Sequence, residues 1–219
     1  MKNKLEYIGS VLHQEQVSLV TIAETTGTPS FVYSKAKLLE QYQALKDALE
    51  GLNFKINYSV KANSNLSILS LLKDEGSGFD IVSAGELGRV LAIGGDPASV
   101  VFSGVGKSTE EIDFALKNNI GCINVESSSE LDRVIRRAEI LGRKARVSIR
   151  VNPDVDADTH PYISTGLKES KFGVPISQSL SLFEAASQNE HVSLEGIDCH
   201  IGSQISSVTP LAQAIKSIC

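Results

Sequence analysis

Strand-like and helix-like segments alternate from about residue 54 onward, and this alternation constrains the fold more than any other feature. Apolar residues recur at helical spacing in segments 35–49 and 127–141, which predicts amphipathic helices there. Six short strand candidates complete the pattern: residues 55–61, 79–83, 100–104, 122–126, 145–152 and 194–201. Because repeated strand–helix units build a parallel sheet covered by helices, the chain is predicted to be an α/β protein.

Signals for helix boundaries support this alternation. A serine followed three residues later by glutamate occurs at Ser83, Ser108 and Ser127, each time just after a strand candidate. In such a capping box the serine hydroxyl accepts a hydrogen bond from an unpaired backbone N–H, and the glutamate reaches back to another. Helix ends are predicted at Gly76, Gly94 and Gly142, because glycine tolerates the positive φ that is common there.

The strand count leaves two architectures open, a closed (β/α)₈ barrel and an open doubly wound sheet. Closure of the barrel needs eight strands, and six are counted. A helical pattern that begins at Thr209 is still running at Cys219, so we expect the chain to be a fragment. Residues 1–34 do not follow the repeat and are predicted to form a separate N-terminal segment, which leaves residues 35–219 for the repeat.

Composition narrows the class of protein. Apolar residues make up 42% of 219 residues, and the net charge of −5 comes from interspersed acids and bases. A nucleic-acid-binding surface would need a basic patch, so none is expected. The chain has no apolar run of the length of a signal peptide or membrane span, and its three cysteines have no metal-ligand spacing. We expect a cytoplasmic protein without a metal centre that handles small molecules.

The alternation of side chains along the strands predicts where the chemistry lies. In residues 55–61 and 145–152, polar side chains share one face and apolar side chains the other. If the apolar faces pack under helices, the polar faces point into the barrel lumen. Active sites of such barrels lie at the carboxyl ends of the strands. The candidates there are Lys61, Asp80, Glu126, Arg150 and His200.

Each candidate also has a structural interpretation. Lys61 could be a solvated residue at a strand end, and Asp80 could cap a turn. Glu126 fits an acid at a helix start better than a catalyst. Arg150 and His200 could be hydrogen-bonded core groups. A ring of charges at one edge is more informative than any single member, because buried charges are costly unless they are paired.

Two other chemistries fit less well. The segment SGVGKS over residues 103–108 looks like the tail of a phosphate-binding loop, but that pattern requires glycine where this chain has Val101. Cys199 beside His200 could suggest a thiol nucleophile. Strand alternation would send these two side chains to opposite faces, which argues against the pair.

Four motifs lie at or near the strand ends: YSVKAN over residues 58–63, GFDIVSAGE over 78–86, FSGVGKS over 102–108 and HIGSQ over 200–204. They resemble motifs of the fold-type III pyridoxal-phosphate decarboxylases. The stretch RVNPDVDADTHPYISTG over 150–166, continued by SKFG over 170–173, is similar specifically to the diaminopimelate decarboxylases. The resemblance runs from about Ile8 to the end of the chain.

This resemblance implies an alanine racemase-like (β/α)₈ TIM-type barrel, incomplete here with about six of eight strands. It also implies a second β domain, largely missing, to which residues 1–34 contribute. The cofactor would be pyridoxal 5′-phosphate, held by Lys61 as a Schiff base. By resemblance to the family, His200 would stack on the cofactor ring and Ser203 would contact the cofactor phosphate. Asp80 and Glu86 would position the released lysine, and Arg150 would line the pocket.

The implied reaction is decarboxylation of meso-2,6-diaminopimelate to L-lysine and CO₂, the last step of lysine biosynthesis, in a homodimer with shared active sites. Burial and nearby cations are expected to lower the pKa of Lys61. The family's proton-donating cysteine is not expected in this portion, and Cys219 should not be taken for it. Residues 154–170 are expected to form a loop at the mouth of the site.

Other functions stay open at this point. The chain could belong to a related decarboxylase of arginine, ornithine or carboxynorspermidine. It could also belong to a racemase with the same barrel, or to a catalytically inactive regulatory homologue. Because an unclosed barrel exposes strand edges, the chain alone is expected to be unstable and inactive.

Overall fold

A computed structural model of the chain describes residues 5–155 and 172–218. The chain divides into two compact units, Met1–Ile56 and Asn57–Cys219. The loop expected over residues 154–170 falls largely on residues 156–171, which lie outside the described residues, and Cys219 lies outside them too.

The first unit is a three-stranded antiparallel sheet followed by two helices. Its elements are β1 (Leu5–Ile8), β2 (Val11–Gln14), β3 (Val17–Ser18), α1 (Leu19–Thr26) and α2 (Lys35–Ala48). No residue from Leu5 to Ile56 is buried, so this part of the described chain has no core of its own. The expected boundary after residue 34 and the link of residues 1–34 to a β domain stay predictions.

The second unit alternates strands and helices as the sequence predicts. Its strands are β4 (Asn57–Ser59), β5 (Gly78–Ile81), β6 (Val100–Phe102), β7 (Cys122–Val125), β8 (Ala145–Asn152), β9 (Val174–Pro175) and β10 (Val192–Asp198). Its helices are α3 (Leu66–Asp74), α4 (Ala84–Ala92), α5 (Thr109–Lys117), α6 (Ser128–Leu141), α7 (Ile176–Ser187) and α8 (Thr209–Ile218). Short 3₁₀ turns occupy Val60–Ala62 and Pro97–Ser99.

The order of the strands decides between the two architectures. The parallel sheet runs β4–β5–β6–β7–β8–β10, and the two-residue β9 pairs with the end of β8. Its principal strands therefore follow one another in chain order, without the reversal that a doubly wound sheet requires. The second unit is an incomplete α/β barrel, as expected.

The core lies between the strands and the helices that cover them. Fully buried side chains from β5, β6 and β8, such as Phe79, Phe102 and Ile149, form one cluster with helix residues such as Leu87 and Leu131. Each large apolar side chain buried in this way contributes about 1.5–3 kcal/mol to stability. The apolar strand faces thus pack under the helices, as predicted. Within the described ranges, no helix has both the length and the apolar character needed to cross a membrane.

The three serine helix starts form, but with different partners. Ser108 and Glu111 make a reciprocal capping box. Ser83 and Ser127 accept from the backbone N–H three residues on, as predicted. Their glutamates, however, reach one residue further back, to the N–H of Val82 and Glu126 respectively. Glycines at helix ends adopt positive φ as expected: Gly76, Gly94 and Gly142.

Five of the six predicted strands run past the ends of the observed ones, and two of these cases concern site residues. The strand expected over residues 55–61 is reduced to β4, and a 3₁₀ turn carries Lys61. The strand expected over 194–201 ends at Asp198, so His200 follows the sheet instead of belonging to it. In both cases apolar–polar alternation continues past the last ladder hydrogen bond, and alternation alone does not show where pairing stops.

Candidate active site

A cavity of about 700 Å³ lies on the polar face of the parallel sheet, where a closed barrel has its lumen. Residues from all six principal strands line it, together with residues that follow β4 and β10. Five of the predicted site residues meet here: Lys61, Asp80, Arg150, His200 and Ser203. The polar faces of the strands therefore point into the lumen, as the alternation predicts.

Asp80 accepts hydrogen bonds from hydroxyls on both neighbouring strands. Ser59, which lies opposite Asp80 in the β4–β5 register, donates to Oδ2 at 2.7 Å. Ser103, just past β6, donates to Oδ1 at 2.5 Å. Hydrogen bonds to a charged carboxylate are the stronger kind, so these two hydroxyls hold Asp80 in one orientation.

The same chain of hydrogen bonds continues across two more strands. Asn124 on β7 donates from Nδ2 to Ser103 Oγ at 3.1 Å, and Ser148 on β8 donates to Asn124 Oδ1 at 2.5 Å. The result is one connected row across five strands, which we call the polar ladder: Ser59, Asp80, Ser103, Asn124 and Ser148. Ser59 and Ser148 belong to the polar faces that alternation predicts. Ser103 and Asn124 were not among the candidates, because neutral residues carry no signal as strong as a charge.

Arg150 is buried and held on several sides. Its Nη1 donates to Glu126 Oε1 at 3.0 Å, and its Nε lies 3.9 Å from Asp198 Oδ2. The guanidinium carbon lies 4.9 Å from the centre of the Phe172 ring, within the range of a cation–π contact. The remaining nitrogen, Nη2, is buried and has no hydrogen-bond partner within the described parts of the chain.

Glu126 has a different role from the one predicted. The sequence favours Glu126 as an acid at a helix start. In the structure the acid at this helix start is Glu130, whose carboxylate accepts from the backbone N–H of Glu126. The Glu126 carboxylate instead accepts from the backbone N–H groups of Gly104 and Gly173, at 2.9 and 3.2 Å, and from Arg150. Glu126 therefore joins two loops to the arginine at the carboxyl edge of the sheet.

Lys61 stands at the same edge but is not buried. This lysine lies in the 3₁₀ turn after β4 and is exposed to solvent. The expectation that this amine would be buried is wrong for the described chain. Its side chain makes no hydrogen bond or ion pair with any described residue.

His200 and its neighbours follow the end of β10. Protein atoms around the ring, and then the positive charges of Arg150 and Lys61, lower the pKa of His200. Cys199 also belongs to the cavity lining, but it packs against the small cluster of Val155, Ile201 and Ala214, so the expected separation of Cys199 and His200 onto opposite faces stays a prediction. Burial raises the pKa of the Cys199 thiol, which opposes the thiolate that a nucleophile needs.

Two further residues named by the motifs lie off the cavity lining. Glu86 lies in the first turn of α4, where its carboxylate accepts a hydrogen bond from the Val82 N–H at 2.7 Å. Lys107 turns inward, and its ammonium donates to Glu130 at 3.0 Å and to the carbonyls of Gly104 and Asn124, both at 2.7 Å. The lysine that suggested a phosphate-binding loop is thus fully paired and buried.

Comparison with known proteins identifies the family. The family model for the pyridoxal-dependent decarboxylase, pyridoxal binding domain, matches residues 35–219. The chain belongs to the pyridoxal-dependent decarboxylase family. Within the family, diaminopimelate decarboxylases from Pseudomonas aeruginosa and Neisseria meningitidis serogroup B are each 52% identical to it, over 97% and 93% of the chain.

Solved structures of family members share this fold. Diaminopimelate decarboxylase from Helicobacter pylori, complexed with L-lysine, is 47% identical over 90% of the chain, with a TM-score of 0.87. The diaminopimelate decarboxylase of M. jannaschii is 35% identical over 97% of the chain, with a TM-score of 0.88. The chain spans about half the length of these relatives, 51% of the Pseudomonas aeruginosa protein and 50% of the Helicobacter pylori chain.

Proposed function

We propose that the protein to which this chain belongs decarboxylates meso-2,6-diaminopimelate to L-lysine and CO₂ with pyridoxal 5′-phosphate as cofactor. The observation that carries this proposal is the 52% identity to diaminopimelate decarboxylases over almost the whole chain. The Helicobacter pylori relative, complexed with L-lysine, supports an amino-acid ligand. A lysine decarboxylase from Selenomonas ruminantium matches at only 26% identity.

The described residues fit such a cofactor. Lys61 offers an amine that is free of ion pairs among these residues, at the edge where family barrels hold their chemistry. Arg150 Nη2 is a buried donor without a partner in the described chain, on the wall of the same cavity. A cavity of about 700 Å³ falls within the size range of small-molecule sites.

Pyridoxal phosphate, when bound, supplies an electron sink for the pair of electrons left as the substrate carboxylate departs. Lys61 would bind the aldehyde of the cofactor through its amine. His200 carries a neutral ring at neutral pH, because its pKa is lowered, and is available to contact the cofactor without adding charge. Arg150 contributes a fixed positive charge to the wall, and Asp80 a fixed carboxylate.

Other expectations stay predictions. Ser203 lines the cavity and is exposed, which suits contact with a phosphate. Glu86 would act on the released lysine only from the start of α4, outside the lining. A homodimer with shared sites is inferred from the family resemblance alone, and the cytoplasmic location remains the expectation drawn from the sequence.

The test is an assay of the complete gene product, purified with pyridoxal phosphate. Release of CO₂ is measured with meso-diaminopimelate, L-lysine, L-arginine, L-ornithine and carboxynorspermidine, and the amine product is identified by mass. We expect meso-diaminopimelate to give the highest kcat/KM, with L-lysine as the product. Faster turnover of another substrate would show that the protein is instead the decarboxylase of that substrate. Absence of any CO₂ release would favour a regulatory protein.

A further inference from the structure

Glu126 is a buried carboxylate at the point where three parts of the second unit meet. Its side chain is 2% exposed. Oε1 accepts from the Gly104 N–H and from Arg150 Nη1, and Oε2 accepts from the Gly173 N–H. Removing a carboxylate from water is costly, and three donors, one of them charged, offset that cost.

The partner of Glu126 inside the lumen is Arg150, whose side chain is 7% exposed. Arginine has a long side chain with many rotamers, so its direction must be fixed by contacts. Glu126 holds Nη1, Asp198 lies near Nε, and Phe172 faces the guanidinium plane. These contacts use every edge of the guanidinium except the one that carries Nη2.

We propose that Glu126 is a positioning residue for the reaction: it fixes the guanidinium of Arg150, a residue of the cavity wall, so that this cation faces an anionic group of the cofactor or substrate in the lumen. This inference rests on the proposed function. The orientation of the Arg150 side chain depends on Glu126, which is 24 positions earlier in the chain and lies at the end of the neighbouring strand.

The competing interpretation is that Glu126 only ties two loops together through Gly104 and Gly173. The chain offers a matched control for that interpretation. Glu111 also joins two loops by accepting from two backbone N–H groups, those of Ser108 and Ala84, both at 3.0 Å. Among the described residues, Glu111 forms no ion pair with an arginine and does not line the cavity, so Glu111→Gln tests loss of a bridging carboxylate alone.

The experiment is a double-mutant cycle on the complete gene product with Glu126→Gln, Arg150→Met and the double variant. Three quantities are measured: the Kd for pyridoxal phosphate from visible absorbance, kcat and KM for meso-diaminopimelate, and the thermal midpoint. Contacting residues in one network couple strongly, so Glu126→Gln should weaken cofactor or substrate binding about tenfold. In the Arg150→Met background the same change should have an effect of less than about twofold.

The outcomes separate the two proposals. A loss in the cofactor Kd places the acceptor on the cofactor, and a loss confined to KM places it on the substrate. Equal losses with and without Arg150, or a loss matched by Glu111→Gln, would overturn the positioning role. A wild-type protein that takes up no cofactor would instead overturn the proposed function.

If Glu126→Gln does not fold, Glu126→Asp takes its place in the cycle. This variant keeps the charge but shortens the side chain by one methylene, which moves the carboxylate away from Arg150. Binding weakened more than about threefold, with the effect lost in the Arg150→Met background, supports the role. Unchanged binding overturns it.

Discussion

Ser103 donates its hydroxyl hydrogen to Asp80 across the β5–β6 boundary, with 2.5 Å between the two oxygens. Ser103 in turn accepts from the Asn124 amide, so its single hydrogen is directed at the carboxylate. The orientation of Asp80 is therefore determined by residues on the next two strands as well as by Ser59. This arrangement turns an acid in the lumen into a fixed acceptor.

Ser103→Ala should destabilise the complete gene product by about 1–3 kcal/mol, because the buried Asn124 amide then loses its acceptor. Urea unfolding followed by circular dichroism measures the change. Ser103→Thr keeps the hydroxyl and is the control, with a smaller loss expected. Equal losses for the two variants would show that packing, and not the hydrogen bond, is responsible.

Lys61→Ala should abolish the visible absorbance of the lysine-bound cofactor at neutral pH, because no other amine would replace it. Absorbance spectra of the purified complete protein, with pyridoxal phosphate added, check this. Lys144→Ala is the control, since Lys144 is exposed and precedes β8 at its amino end. Retained absorbance that borohydride fixes to a different lysine would refute the assignment.

Lys61→Met should also raise the pKa of His200 in the cofactor-free protein, because one of the cations that lower it is removed. The lowered pKa means that the unfolded chain binds a proton more readily than the folded one. The His200 contribution to stability is therefore lost as pH falls from about 6.5 through the lowered value. An NMR titration of the imidazole protons measures the shift. An unchanged His200 pKa, or the same change in Lys144→Met, would contradict the prediction.

Lys107→Met should destabilise the protein by about 3–5 kcal/mol, because it leaves the Glu130 carboxylate buried without its cation. The side chains of this ion pair are only 1% and 3% exposed. Urea unfolding gives the free energy. The double variant Lys107→Met/Glu130→Gln removes the unpaired charge and should recover part of the loss. A single-variant loss below about 1 kcal/mol would mean that water reaches the pair.

The sequence predicts the parallel α/β fold well, because each strand candidate is bounded by helix signals that act locally. β8 has the predicted bounds, since all eight of its residues continue the alternation and each has a partner on β10 or β9. β4 and β10 are shorter than predicted, because the end of pairing depends on neighbouring strands. The architecture became clear only from the strand order, which is a long-range property.

The sequence predicts which residues line the site, but not the contacts that hold them. Lys61, Asp80, Arg150 and His200 do line one cavity, because alternation and the carboxyl-edge rule both follow from backbone geometry. The contacts of Glu126 could not be predicted, since Gly104 and Gly173 are distant in sequence and donate through the backbone. Asp198 was not among the candidates, although burial raises its pKa and it lies near Arg150.

The polar ladder has a consequence for how the strands choose their pairing. Each of its residues comes from, or directly follows, a different strand, so the row is complete only when five segments are aligned at once. A slip of one residue in β7 would turn Asn124 under the helices and bring Ile123 or Val125 into the lumen. The hydrogen bonds that hold Asp80 therefore also favour the correct strand register, because a misaligned sheet would lose them as the barrel forms.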